Sequence, residues 1–125
     1  MTGLLDTSVF VAREQCRPLA SLPDEGRVSV ITAAELRIGV LATDDPSIRA
    51  QRMRTLSEVE ALEPAPVDEA AARAFAEIVA DARRRGCQPR ILDALIGATA
   101  ASLGVAVYTQ DADFDDMAGV AVVRV

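Results

Sequence analysis

Short runs of branched apolar residues alternate along this chain with longer stretches whose apolar positions recur every three or four residues. That order predicts strands separated by helices. The first run closes with Leu4-Leu5 and stops on a carboxylate, Asp6, before the hydroxyl pair Thr7-Ser8 and a helix beginning over Val9 to Glu14. Arg17 to Gly26, punctuated by Pro and Gly, reads as a connection. A second strand is expected over Arg27 to Ile31. Thr32-Ala33-Ala34-Glu35 then matches a capping box opening a helix to about Ala42. Asp45 and Pro46 suit the N-cap and first position of the next helix, and Ile48 to Leu62 has the spacing of a half-exposed one. Glu63 to Pro66 is a short extended crossing. Asp68 caps an Ala-rich helix, Glu69 to Arg85, closed by Gly86. Pro89 opens another, Arg90 to Leu103, closed by Gly104. A strand over 105–109, an acidic turn and a last strand, Val120 to Val125, complete the pattern.

Strands joined through helices require crossovers, so the sheet is expected to be mainly parallel and the fold α/β. Residues 1–125 are the size of one domain, with no linker and no internal repeat. Half the residues are apolar but only 3% are aromatic, which leaves a core of Ala, Val, Leu and Ile suited to helices packed closely on a parallel sheet.

Charge narrows the chemistry. A net charge of -6 argues against a nucleic-acid coat protein, which is normally basic, but not against a nuclease whose acids hold cations. All 13 basic residues are Arg and there is no His, which removes the commonest general base, the usual zinc ligand and the usual triad member. Cys16 and Cys87 form no CxxC pair and read as ordinary thiols in a reducing compartment. No basic stretch precedes the first apolar residues. The longest uncharged stretch, Ala94 to Tyr108, falls short of the roughly 20 residues a membrane span needs. A cytoplasmic protein with no membrane association is expected.

Three acids follow expected strands: Asp6, Glu35 and Asp111. The carboxyl edge of a parallel sheet is where such folds build their sites. Each acid also has a plain reading, since Asp6 can cap a helix, Glu35 can complete the capping box and Asp111 can be solvated. Asp93 differs, because it lies inside an otherwise apolar helix whose same face continues with Gly97 and Ala100. That small-residue face is expected to let the sheet backbone approach, leaving a carboxylate that needs a partner. Together the four acids are best explained by a divalent-metal site. Clustered carboxylates repel unless a cation compensates them, and Mg2+ and Mn2+ prefer hard oxygen ligands. With no His available, metal-activated water is the natural nucleophile for a phosphodiester.

The blocks Leu4-Leu5-Asp6-Thr7-Ser8, Thr32-Ala33-Ala34-Glu35-Leu36, Leu92-Asp93-Ala94-Leu95-Ile96-Gly97-Ala98 and Thr109-Gln110-Asp111-Ala112-Asp113-Phe114 resemble the four signature blocks of PIN-domain ribonucleases. In size and layout the chain is most similar to VapC-type toxins of toxin-antitoxin pairs. The resemblance implies a three-layer α/β/α sandwich, endonucleolytic cleavage of RNA dependent on Mg2+ or Mn2+, a homodimer, and a small antitoxin whose tail fills a groove. It implies catalytic and metal-binding roles for Asp6, Glu35, Asp93 and Asp111, an auxiliary acid at Asp113, and hydroxyls beside the site at Ser8 and Thr109.

For the substrate, the dense basic clusters are Arg83-Arg84-Arg85 with Arg90, and Arg13 with Arg17. The Arg triplet also suits a helix C-terminus electrostatically. With Phe10, Phe75, Tyr108 and Phe114 as the only aromatics, base stacking is not the main grip. A haloacid-dehalogenase-like phosphatase is disfavoured because Ser8 stands where its second Asp belongs, and a receiver domain because its late Lys is missing. A non-cleaving RNA- or protein-binding module and a DNA-directed nuclease remain open.

Overall fold

The chain's computed structural model describes residues 1–125. Its elements are β1 (Thr2–Leu5), α1 (Thr7–Glu14), β2 (Glu25–Arg27), α2 (Val30–Leu41), α3 (Pro46–Glu60), α4 (Glu69–Arg84), α5 (Ile91–Leu103), β3 (Ala106–Thr109), a 3-10 turn (Ala112–Phe114) and β4 (Val122–Arg124). All neighbouring strands pair in parallel in the order β2-β1-β3-β4. Leu5 lies opposite Tyr108, so β1 and β3 end side by side at the centre of the sheet. From that point the chain leaves β1 toward β2 on one side and β3 toward β4 on the other. This is a topological switch point, where parallel sheets open a crevice beyond their carboxyl ends.

The two-residue period of a strand divides the apolar residues between two cores. Leu4 and Val107 join Ile78 of α4, Ile96 of α5 and Phe114 on one face. Leu5 packs on the other, against Phe10, Val28, Leu36, Val40, Leu56 and Val59, drawn largely from α1, α2 and α3. Helices therefore cover both faces, as expected for a three-layer α/β/α sandwich. Gly104 ends α5 in the left-handed region at φ 69°, which glycine adopts without steric cost.

The region 27–35 departs from expectation. The expected strand over Arg27 to Ile31 ends at Arg27, and α2 starts at Val30 with Ser29, not Thr32, as its N-cap. The Ser29 hydroxyl accepts from the Ile31 N–H at 3.0 Å. Val28 and Val30 remain partly strand-like only through bonds to Ala65 from the extended crossing (Ala65 N–H to Val28 at 2.8 Å, Val30 N–H to Ala65 at 2.9 Å). Thr32 is buried inside the helix. Glu35 consequently reaches its position from the second turn of α2, not from a strand end. The small face of α5 also meets a different neighbour than expected. A Cβ at Gly97 would lie 2.9 Å from Met117 Sδ and 3.3 Å from Val120, so the close approach is by the segment after the acidic turn, not by the sheet backbone.

Candidate active site

Asp6 leaves β1 as the N-cap of α1, its N–H still bonded to the Tyr108 carbonyl of β3 at 3.0 Å. Its side chain is buried, with 3% of the residue exposed. The charge is met by protein donors: the Thr109 hydroxyl donates to Asp6 Oδ2 at 2.9 Å and the Ser8 N–H lies 3.4 Å from the same oxygen. Thr109 thereby spends its single proton, so its oxygen accepts from the Asp111 N–H at 2.9 Å and from the Ser8 hydroxyl at 3.2 Å. The Ser8 oxygen in turn accepts from the Gln110 N–H at 3.0 Å. Ser8 and Thr109 thus stitch the exit of β1 to the exit of β3 and fix where Asp111 begins its turn.

Asp111 caps the 3-10 turn, its Oδ1 accepting from the Asp113 N–H at 3.0 Å. Asp93 stands three residues into α5, in the first turn, where the helix dipole favours a negative charge. One carboxylate oxygen each from Asp93, Asp111 and Asp113 lies within 4.8 Å of the others. Asp6 and Glu35 fall outside that triple, yet both act on Asp93 electrostatically. Burial first, then the charges of Asp6, Asp111 and Glu35, push the Asp93 carboxyl up from 3.8 to about 6, against the opposing pull of Arg90. Glu35 is held by the Thr7 hydroxyl, which donates to its Oε1 at 2.8 Å and lies 3.1 Å from the Thr32 hydroxyl.

The basic residues divide. Arg90 enters the acidic site, with Nη1 3.3 Å from Asp113 Oδ2 and Nε 3.7 Å from Asp93 Oδ2. Hydrogen bonding to Asp113 and the charge of Asp93 hold its guanidinium above its usual range. Arg85 is pinned to Asp81 at 3.0 Å and to the Asp116 carbonyl at 2.9 Å, and Arg84 lies 3.7 Å from Asp81. Arg83 is exposed and makes no ion pair. Arg13 is tied to Glu58 of α3. A cleft of about 210 Å³ runs from Ile78 and Ala82 past Arg85 and Gln88 to Arg90 and Asp113, joining Arg85, alone of the Arg triplet, to the rim of the acidic site.

Thr7 was overlooked by sequence reasoning. Its signal was the hydroxyl pair after Asp6, but only the second hydroxyl was assigned a place beside the site, because the partner of the first, Glu35, is 28 residues away. The donor set fits a hard divalent cation. Every side chain in the triple is a carboxylate, the chain has no His, and Asp93 receives no hydrogen bond from the protein.

Comparison with known proteins gives a consistent picture. The family model of the PIN domain matches residues 3–120. The chain is 47% identical to ribonuclease VapC5 of Mycobacterium tuberculosis, over 98% of this chain and 95% of that one. It is 39% identical to ribonuclease VapC4 of the same organism, over 98% and 96%. Its structure superposes with a TM-score of 0.87 on a chain of VapBC-5, a member of the VapBC family of toxin-antitoxin systems from M. tuberculosis, at 44% identity over 99% and 98% of the two chains.

Proposed function

The chain belongs to the PIN domain family, and from that premise we propose that it is a divalent-metal-dependent endoribonuclease, the toxin of a toxin-antitoxin pair. The observation that carries the reading is the convergence of Asp93, Asp111 and Asp113 within 4.8 Å, beside the buried Asp6, at the carboxyl edge of β1 and β3. The names of the relatives, ribonucleases and toxin-antitoxin complexes, support the substrate class and the partner.

Asp93 and Asp111 would hold Mg2+ or Mn2+, with Asp113 at the outer rim and Asp6 and Glu35 completing the negative field. When bound, such an ion offsets phosphate charge and lowers the pKa of an attacking water. The chain's own residues do the rest. Thr109 and Ser8 lock Asp6 and the start of the acidic turn in register, Thr7 keeps Glu35 aimed at the site, and the apolar packing of Gly97 on Met117 sets the distance between α5 and that turn. Arg85 and Arg90 line the cleft at one mouth of the site and, with Arg83 and Arg84 next to Arg85 in the chain, are the candidates for the RNA backbone. No helix is long and apolar enough to cross a membrane.

The test is to incubate antitoxin-free protein with total cellular RNA and Mg2+, Mn2+ or EDTA, mapping new 5' ends beside an Asp93→Asn control. Discrete cuts that need both metal and Asp93 are expected. Metal binding without cuts would turn the reading toward a non-cleaving binding module or a DNA substrate, and cutting by the Asp93→Asn protein would overturn the assigned site.

A further inference from the structure

Arg90 occupies the N-cap position of α5 but its side chain caps nothing. It reaches instead across the acidic cluster, toward Oδ2 of Asp93 and Oδ2 of Asp113, two of the three residues whose oxygens converge. It is the one cation among the acids of the site, and its side chain is 75% exposed, so swinging outward would sacrifice little buried contact. A metal ion taking those oxygens and the guanidinium holding them draw on the same lone pairs. On the other side, Arg90 lines the cleft that leads to Arg85 and Gln88. Arg85 is already committed to Asp81 and the Asp116 carbonyl, which leaves Arg90 as the residue able to move between the two places.

Resting on the nuclease reading above, we propose that Arg90 is a built-in competitor for the metal, closing the cluster while the ion is away and passing to an RNA phosphate in the adjoining cleft when the ion enters. The planar guanidinium suits both states, since it pairs with a carboxylate and with a phosphate through the same fork of donors. Metal occupancy and backbone grip are then coupled through one side chain. Arg90 is a positioning residue here, acting on the metal site from outside the set of ligands.

Two titrations on the full chain test this. Mn2+ binding is measured by calorimetry for the wild type and Arg90→Gln, with circular dichroism confirming the fold of both. A fluorescein-labelled single-stranded RNA is followed by anisotropy with and without Ca2+, which binds oxygen sites. Arg90→Gln is expected to bind Mn2+ about threefold to fivefold tighter, the scale of an exposed ion pair, and to lose most of the Ca2+-dependent gain in RNA affinity. Equal or weaker Mn2+ binding by folded Arg90→Gln would overturn the competition. Tighter Mn2+ binding with an unchanged RNA gain would overturn the transfer to phosphate. A wild type that binds no Mn2+ at all would instead remove the metal-nuclease reading on which both rest.

Discussion

The two halves of the acidic site are built on opposite terms. Around Asp6, protein donors answer one carboxylate oxygen: Oδ2 takes a hydroxyl and lies near an N–H, and the hydroxyl of Thr109 is used from three directions at once. Around Asp93, three carboxylates crowd together with one loosely placed arginine between them. A buried charge held by protein donors is a structural fixture, whereas a carboxylate cluster left short of donors repels itself unless a cation compensates it. The first half builds the frame, and the second is the concentration of negative charge that a metal would offset. Replacing residues in the two halves should therefore move stability in opposite directions.

The largest effect is expected from Thr109→Val. The side chain keeps its shape and its fully buried place, but Asp6 loses its hydroxyl donor and the Asp111 N–H and Ser8 hydroxyl lose their acceptor. Leaving buried groups unpaired costs about 1–3 kcal/mol, read as a lower midpoint in urea. Metal affinity should fall by roughly 10- to 100-fold, the usual effect of losing an outer hydrogen bond that orients the ligands. An unchanged midpoint would mean the frame is not where stability is stored.

Asp93→Asn should do the reverse to the metal-free protein and raise its melting temperature at pH 7. The sign follows from the carboxyl being pushed up from 3.8 to about 6 in the folded state. Between those values the folded protein holds a proton that the unfolded chain has released, so the group favours folding most at low pH and that contribution is lost as pH rises through about 6. A melting-temperature series from pH 4.5 to 7.5 should show the wild type losing ground to Asp93→Asn across this window. Added Mn2+ should restore the wild type alone. For the same reason wild-type metal affinity should drop below about pH 6, because the ion needs the deprotonated ligand. A variant less stable than wild type at pH 7 without metal would place Asp93 in the frame instead.

Much of this division was legible in the residue order, and its failures have a physical cause. Asp45, Asp68 and Gly104 mark helix ends through bonds to residues two to four positions away, so their signals are local. The same locality exposed Asp6 and Asp111 at the ends of β1 and β3. Residues 28–35 misled because two local patterns competed. Val28-Ser29-Val30-Ile31 has strand composition, but Ser29 caps a helix and the extended partner, Ala65, is far along the chain. Thr32 and Glu35 have capping-box spacing, yet Glu35 answers to Thr7. The family resemblance singled out Asp113, but the residue order alone does not separate it from Asp115 and Asp116 in one acidic run. Only the 3-10 turn shows that Asp113 returns toward Asp93, while Asp115 pairs with Arg124.

Asp113→Asn gives the smallest and most discriminating change. Its carboxylate is 42% exposed and its main partner is Arg90, so removing the charge should leave the folding midpoint within about 0.5 kcal/mol of wild type, as for most surface substitutions. Its effect on Mn2+ depends on which of two roles dominates. As a ligand it contributes a carboxylate oxygen within 4.8 Å of Asp93 and Asp111, and losing it weakens the site. As the anchor of Arg90 it holds the competitor in place, and losing it frees the metal's ligands. The two effects oppose one another, so a loss of only a few-fold is expected in the wild-type background. With Arg90→Gln already present, the competitor is gone and only the ligand role remains, so the same Asp113→Asn change should cost more than it does alone. Calorimetry on the two single variants and the double variant measures that difference directly as a coupling. Strict additivity would separate Asp113 from Arg90 and leave the rim acid as an ordinary ligand.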